Sequence, residues 1–193
     1  MSSESAKDGR KHNKLSEISD NSCCAPVENG LTRMRNEYWG HMNTKEKVIA
    51  YSKQLGWQLN DNDNQTGFWL REGSTFVDLI PKDKTDRQEL LVFARVVEGA
   101  RIDFELTKKL LQLNVSISLG AFALTDDGTI VFRACILGGD HMDIDEFRTA
   151  VEVVAFIADE FDDKIVSTHG GKTAVTAIEE LQRERDRGGS LKW

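Results

Sequence analysis

The stretch Val115-Ser-Ile-Ser-Leu-Gly-Ala-Phe-Ala-Leu-Thr125, followed by Asp126-Asp-Gly128 and by Thr129-Ile-Val-Phe-Arg-Ala-Cys-Ile-Leu137, carries the clearest structural signal in this chain. Two runs rich in β-branched and aromatic residues flank Asp-Asp-Gly, which is typical of a tight antiparallel connection. Gly138-Gly-Asp140 ends the second run, and a long segment with regularly spaced apolar residues follows it. The stretch therefore predicts a β-hairpin that leads into a helix.

The long segment after the hairpin has the periodicity of an amphipathic helix. Asp143 is a suitable N-cap, and Glu146 stands three residues later, as in a capping box. The apolar residues fall within one sector of about 140° when each residue turns by 100°: Ile144, Phe147, Ala150, Val151, Val154, Ile157, Ala158, Phe161 and Ile165. The opposite side is acidic and includes one aromatic residue, Phe156, among Asp145, Glu152, Asp159, Glu160 and Asp163.

A helix and three strands are predicted before this stretch. Asn43 and Glu46 form a second capping-box pattern, and the helix that they begin ends at Gly56. Strands are predicted over residues 67–71, 75–81 and 89–97. In the third strand, Leu91, Phe93, Arg95 and Val97 share one face, and Val92, Ala94 and Val96 share the other. Because both faces are mostly apolar, this strand is predicted to be central.

A middle helix is predicted between the third strand and the hairpin. Asp103 is its N-cap, and its main apolar stripe consists of Ile102, Leu106, Leu110 and Leu113. Phe104 and Leu111 lie off this stripe. Two apolar directions on one helix indicate that it makes two different contacts.

The two ends of the chain differ from its centre in composition. Residues 1–30 are rich in Ser, Asn and charged residues, so we expect a disordered tail. Residues 31–168 are predicted to form a single α+β domain, and residues 169–193 a C-terminal helical extension. Cys23 and Cys24 in the tail are adjacent, without a nearby His or further Cys, and this pattern is more often inert than a metal or palmitoyl site.

Composition and charge narrow the possible functions. The chain has 193 residues, 39% of them hydrophobic, and a formal net charge of −7. This acidity argues against a nucleic-acid partner, which requires a basic surface. No apolar run approaches the roughly 20 residues needed to span a bilayer, and no signal peptide is recognisable, so we expect a cytoplasmic protein without membrane insertion. Three cysteines indicate no disulfide framework, and Cys135 is predicted to be a small core residue.

No motif predicts a catalytic residue, a cofactor or a metal ligand. Gly170-Gly-Lys-Thr173 resembles the end of a phosphate-binding loop, but Val166 stands where that loop requires glycine. His12, His41 and His169 are predicted to be solvated. Gly138-Gly-Asp-His-Met-Asp143 places a histidine and two carboxylates before a helix. Glycine and a capping Asp are what a strand-to-helix turn needs, so a structural role is favoured there over a ligand site.

The order helix, three strands, helix, two strands, helix resembles the fold shared by type III secretion chaperones and YbjN-like proteins. Four sequence segments are similar to a YbjN-type branch found in cyanobacteria and related bacteria: Asn114-Val-Ser-Ile-Ser-Leu-Gly-Ala-Phe-Ala-Leu124, Asp126-Asp-Gly128, Ile130-Val-Phe-Arg133 and Ile136-Leu-Gly-Gly-Asp140. The resemblance covers roughly residues 43–167 and includes no catalytic signature. It implies a twisted antiparallel sheet of about five strands covered by helices, in the order α-β-β-β-α-β-β-α.

The resemblance also implies a function. Secretion chaperones are small, acidic, cytoplasmic homodimers that hold partner chains in extended form, and the middle helix would be the dimer contact, through Phe104 and Leu111. We therefore expect a non-enzymatic module, chaperone-like or adaptor, that binds a partner polypeptide through apolar surface or strand addition. The residues predicted to bind the partner are Phe68, Trp69, Phe76 and Phe156. Two alternatives stay open: a ligand sensor or enzyme that uses the turn at residues 138–143, and a structural subunit of a larger assembly.

Overall fold

The predicted hairpin forms one edge of a single sheet, and the long helix after it packs across that sheet. This computed structural model describes residues 42–62, 66–84 and 87–188, apart from the side chains of residues 181, 182 and 184–188. The predictions for residues 1–41, which include Cys23, Cys24, His12 and His41, lie outside the described residues. The elements are α1 (Thr44–Leu55), β1 (Asn60–Asp61), β2 (Phe68–Glu72), β3 (Thr75–Asp83), β4 (Gln88–Glu98), α2 (Phe104–Ser116), β5 (Ala121–Leu124), β6 (Ile130–Leu137), α3 (Ile144–His169), β7 (Lys172–Thr173) and α4 (Ala174–Gly188).

The strands form one antiparallel sheet in the order β1-β2-β3-β4-β6-β5, with β7 paired to the end of β4. This confirms the predicted α+β fold with an antiparallel sheet, and all five predicted strands are present. Two further strands, β1 and β7, have two residues each. Two residues are too few to show the period of two, and β7 in addition pairs with β4, which lies far earlier in the chain.

One face of the sheet, the core face, is buried under α1 and α3. Alternate residues of the strands point to this face, as the period of two requires. They are Phe68, Leu70, Val77, Leu79, Leu90, Val92, Ala94, Phe132, Ala134 and Ile136. These strand residues pack against the buried residues of α3, which are Phe147, Ala150, Val151, Val154, Ala155, Ala158 and Ile165. All of them except Ala155 belong to the predicted apolar sector.

The other face, which we call the second face, carries the intervening residues. Its central row runs across four neighbouring strands and consists of Trp69, Asp78, Phe93 and Arg133. The rows beside it include Phe76, Ile80, Leu91 and Cys135. The second face is thus a half-buried surface that combines apolar and charged side chains.

Two predictions about side-chain direction are wrong. Val97 does not share a face with Arg95, because the register of β4 shifts between these residues, and Val97 is fully buried. Such a bulge adds a residue that alternation alone does not anticipate. Cys135 is not a core residue: it lies between buried Ala134 and Ile136 on β6 and is therefore exposed on the second face.

Helix α2 lies beside the edge strand β5 and blocks part of that edge. The Phe122 N–H donates to Asn114 Oδ1 at 2.7 Å, and Asn114 Nδ2 donates to the Phe122 carbonyl oxygen at 3.3 Å. A side-chain amide therefore takes the place that another strand would need in order to pair here. Edge strands with free backbone groups are prone to association, and this contact removes one pair of such groups.

We expect Asn114→Ala to lower the free energy of unfolding by about 1 kcal/mol, because the Phe122 N–H and C=O lose their partners. The variant should also associate at high concentration through the freed edge. Urea denaturation and analytical ultracentrifugation measure the two effects, with exposed Gln112→Ala on the same helix as the control. An Asn114→Ala variant with the stability and sedimentation of the wild type would contradict this role.

Candidate partner-binding surfaces

The first candidate surface is an exposed apolar stripe on α2. Phe104, Leu111 and Val115 are 74%, 62% and 87% exposed, whereas Leu106 of the same helix is buried. Phe104 and Leu111 are the residues predicted to lie off the packed stripe. Val115 was missed by sequence reasoning, although its position four residues after Leu111 is a usable signal. A second apolar surface could bury this stripe.

The N-terminus of α2 is attached to the end of α3. Asp103 Oδ1 accepts a hydrogen bond from the Leu106 N–H at 2.9 Å, and this bond is the main cause that lowers the pKa of Asp103. His169 Nε2 lies 3.6 Å from the same carboxylate oxygen, and the Arg101 N–H donates to the His169 carbonyl at 2.9 Å. The prediction that His169 is solvated is therefore wrong, because its ring is mostly buried against α2. These contacts hold the exposed stripe in a defined place.

The second candidate surface is the second face of the sheet. The rings of Trp69 and Phe76 meet edge to face with centroids 5.6 Å apart, and the Arg71 guanidinium lies 5.8 Å from the Phe76 centroid. Both aromatic side chains are half-buried. The structure thus brings together two of the four residues predicted to bind a partner.

The other two predicted partner-binding residues lie elsewhere. Phe68 is 6% exposed within the core, so it offers almost no accessible surface. Phe156 is 65% exposed on the side of α3 that faces away from the core. Because α3 covers the core face, Phe156 and the Trp69–Phe76 pair lie on opposite sides of the sheet. Any surface that includes Phe156 is separate from the second face.

A half-buried carboxylate lies in the middle of the second face. Asp78 pairs in register with Trp69 on one side and with Phe93 on the other. Burial raises the pKa of Asp78, and the charge of Arg95 opposes that shift. Among the described residues no hydrogen bond to this carboxylate is found.

A cleft of about 520 Å³ continues the second face towards the β5–β6 turn. Phe93 and Val131 form its apolar part, and Arg95, Glu98, Thr125, Asp126, Asp127 and Thr129 complete its lining. The Thr125 hydroxyl donates to Asp127, as does the Thr129 N–H at 3.3 Å, and both bonds lower the pKa of Asp127. Sequence reasoning identified this turn but not the cleft, because β4 supplies three of its eight lining residues.

The glycine-rich turn at residues 138–143 is held by α1. The Gly139 N–H donates to Thr44 Oγ1 at 3.1 Å, and Lys47 Nζ and the Tyr51 hydroxyl both donate to the Met142 carbonyl, at 3.0 and 3.1 Å. Burial lowers the pKa of Lys47, while the charges of Asp140 and Asp143 raise it. These contacts account for the turn without a ligand.

Neither a metal-binding cluster nor a membrane-spanning helix is present among the described residues. Within residues 42–62, 66–84 and 87–188 no three His, Cys, Asp or Glu side chains are grouped so that they could hold a metal ion. In the same part of the chain no helix is long and apolar enough to cross a membrane.

Comparison with known proteins matches one family model and two solved structures. A family model described as T3SS (YopN, CesT) and YbjN peptide-binding chaperone 1 matches residues 48–177. A chain of the ExsC–ExsE complex is 16% identical, with a TM-score of 0.45, and the match covers 64% of this chain and 97% of that one. YbjN from E. coli is also 16% identical with a TM-score of 0.45, over 61% of this chain and 89% of its own. No curated protein matches the chain.

We expect Asp78→Asn to raise the free energy of unfolding at pH 7. Because the pKa of Asp78 is higher in the folded chain than its ordinary value of 3.8, ionisation of this group destabilises the fold once the pH exceeds the folded pKa. The gain should shrink as the pH falls below the ordinary value, where both states are protonated.

Urea denaturation at pH 7 and at pH 3 checks this prediction, with the exposed Asp126→Asn as the matched control. An Asp78→Asn variant that is less stable than the wild type at pH 7, or equally stabilised at both pH values, would contradict it.

Proposed function

Because the chain belongs to the family of T3SS and YbjN peptide-binding chaperones, we propose that it is a non-enzymatic module that binds a partner polypeptide as a homodimer in the cytoplasm. Membership of this family confirms the resemblance drawn from residues 43–167. The observation that carries the proposal is apolar surface outside the core, on α2 and on the second face. Exposed apolar patches of this kind mark protein interaction sites.

The partner surface of the proposal consists of Trp69 and Phe76 on the second face, with Phe156 on α3 as a separate contact. Phe68 is left out because it is buried. Binding across the second face is favoured over strand addition at β5, because Asn114 already bonds to the backbone of Phe122. An extended chain could place alternate side chains on the half-buried aromatic rings.

We expect the protein to bind reduced, carboxymethylated α-lactalbumin, a permanently unfolded chain, and not the native form. Fluorescence anisotropy with the labelled protein measures the affinity. A Trp69→Ala/Phe76→Ala double variant should bind at least about 30-fold more weakly, because truncation of central aromatic contacts costs about 1 kcal/mol or more each. Phe156→Ser, measured separately, tests the contact on α3.

The control is Ile49→Ala, which removes an exposed apolar side chain on α1 outside both surfaces. Circular dichroism verifies that each variant is folded. The partner-binding proposal is wrong if the wild type binds no unfolded chain, and its assignment to the second face is wrong if the double variant binds as well as the wild type.

The dimer contact of the proposal is the exposed stripe of α2. We expect the wild type to sediment at twice the 21.7 kDa of one chain and Phe104→Asp/Leu111→Asp to sediment as a monomer, since two carboxylates would be buried in an apolar contact. Ile49→Asp, outside the stripe, should remain a dimer. A wild type that is already monomeric at micromolar concentration would rule this contact out.

A further inference from the structure

Arg133 on the second face differs from the other arginines whose side chains the structure describes. Six arginines with described side chains contact a carboxylate, a carbonyl oxygen or an aromatic ring: Arg71, Arg87, Arg95, Arg101, Arg148 and Arg183. Among the described residues, Arg133 makes no hydrogen bond, ion pair or ring contact, and it is exposed. In a chain with a net charge of −7, this guanidinium remains available to a partner.

The immediate neighbours of Arg133 are apolar. Phe93 and Ala121 lie opposite it on β4 and β5, and Val131 and Cys135 lie two residues away along β6. Leu137 extends this surface and is more than half exposed. An arginine within apolar surface is typical of the residues that contribute most to protein interfaces, and its planar group binds a carboxylate through two parallel hydrogen bonds.

The charge of this surface is positive at Arg133 and becomes negative two residues further along β6, at the level of Val131. There the cleft contains three carboxylates, Glu98, Asp126 and Asp127, against one guanidinium. That guanidinium belongs to Arg95, which lies 3.4 Å from the Glu98 carboxylate. Phe93 and Val131 offer apolar surface beneath these charges, on which the aliphatic part of a lysine or arginine side chain could pack.

We propose that the β4–β6 part of the second face binds an extended segment with a defined order of side chains: apolar, then acidic, then basic. The acidic side chain pairs with Arg133, and the basic side chain enters the cleft. The apolar side chains cover Cys135 and Leu137. Residues two apart in an extended chain are separated by about 6.6 Å, which is also the separation of Arg133 and Val131 along β6. This inference rests on the proposed function and adds the class of segment that the protein selects.

Three fluorescein-labelled peptides of about 14 residues provide the test. Each has a Val/Thr/Leu half followed by one of three central sequences, Glu-x-Lys, Lys-x-Glu or Lys-x-Lys, and fluorescence anisotropy measures their affinity for the full chain. The wild type should bind the Glu-x-Lys peptide about tenfold more tightly than either of the others, since a charge-assisted pair contributes about that factor. High salt should reduce this preference, because the pairs are partly exposed.

Reversal of the charge at position 133 gives the sharper result. Arg133→Glu should prefer Lys-x-Lys to Glu-x-Lys, whereas the control Arg148→Glu on the solvent side of α3 should keep the wild-type preference. Equal binding of all peptides by the wild type, or an Arg133→Glu variant with unchanged preference, would overturn the inference while the proposed function stands. If the wild type binds neither the peptides nor unfolded α-lactalbumin, both the proposed function and this inference are wrong.

Discussion

The packing of α3 on the core face of the sheet is the interaction on which the rest of this structure depends. Phe147, Ala150, Val151 and Val154 are fully buried against β3, β4 and β6, and each large side chain buried in this way contributes about 1.5–3 kcal/mol. The same helix also holds its neighbours. The ring of Phe147 contacts Tyr51 of α1 and Trp57 after it, and Phe161 contacts Phe122 of β5. Loss of this packing would therefore also remove contacts that hold α1 and β5 to the core.

Because α3 packs on one face of the sheet only, the strand side chains that a partner can reach lie on the second face. The alternation of side chains places apolar residues of β4 and β6 under α3 and sends Phe93, Arg133 and Cys135 to the second face. The outer side of α3 carries mostly carboxylates, whereas the second face carries arginines and half-buried Asp78, with three further carboxylates in the cleft at its end. A surface with mixed apolar and charged groups gives specificity through charge order as well as affinity through burial.

The hairpin, the three N-caps and the exposure of Phe104, Leu111 and Phe156 could be predicted because each depends on residues close together in the sequence. Asn43, Asp103 and Asp143 all accept the predicted capping hydrogen bonds. The errors concern contacts between distant residues. The bulge that buries Val97 and the burial of His169 against Asp103 each require an element that alternation and helical periodicity do not locate.

By itself, the sequence determined the order of helices and strands and the apolar side of each helix, because these follow from local propensity and from periods of 3.6 and 2 residues. Only the tertiary structure decided which sheet face the helices cover and which side chains meet on the other. That choice places Cys135 in solvent, separates Phe156 from Trp69 and joins Arg95 to the turn at residues 125–129 as one cleft. The physical reason is that a strand buries whichever face a helix packs on, and that helix is supplied from elsewhere in the chain.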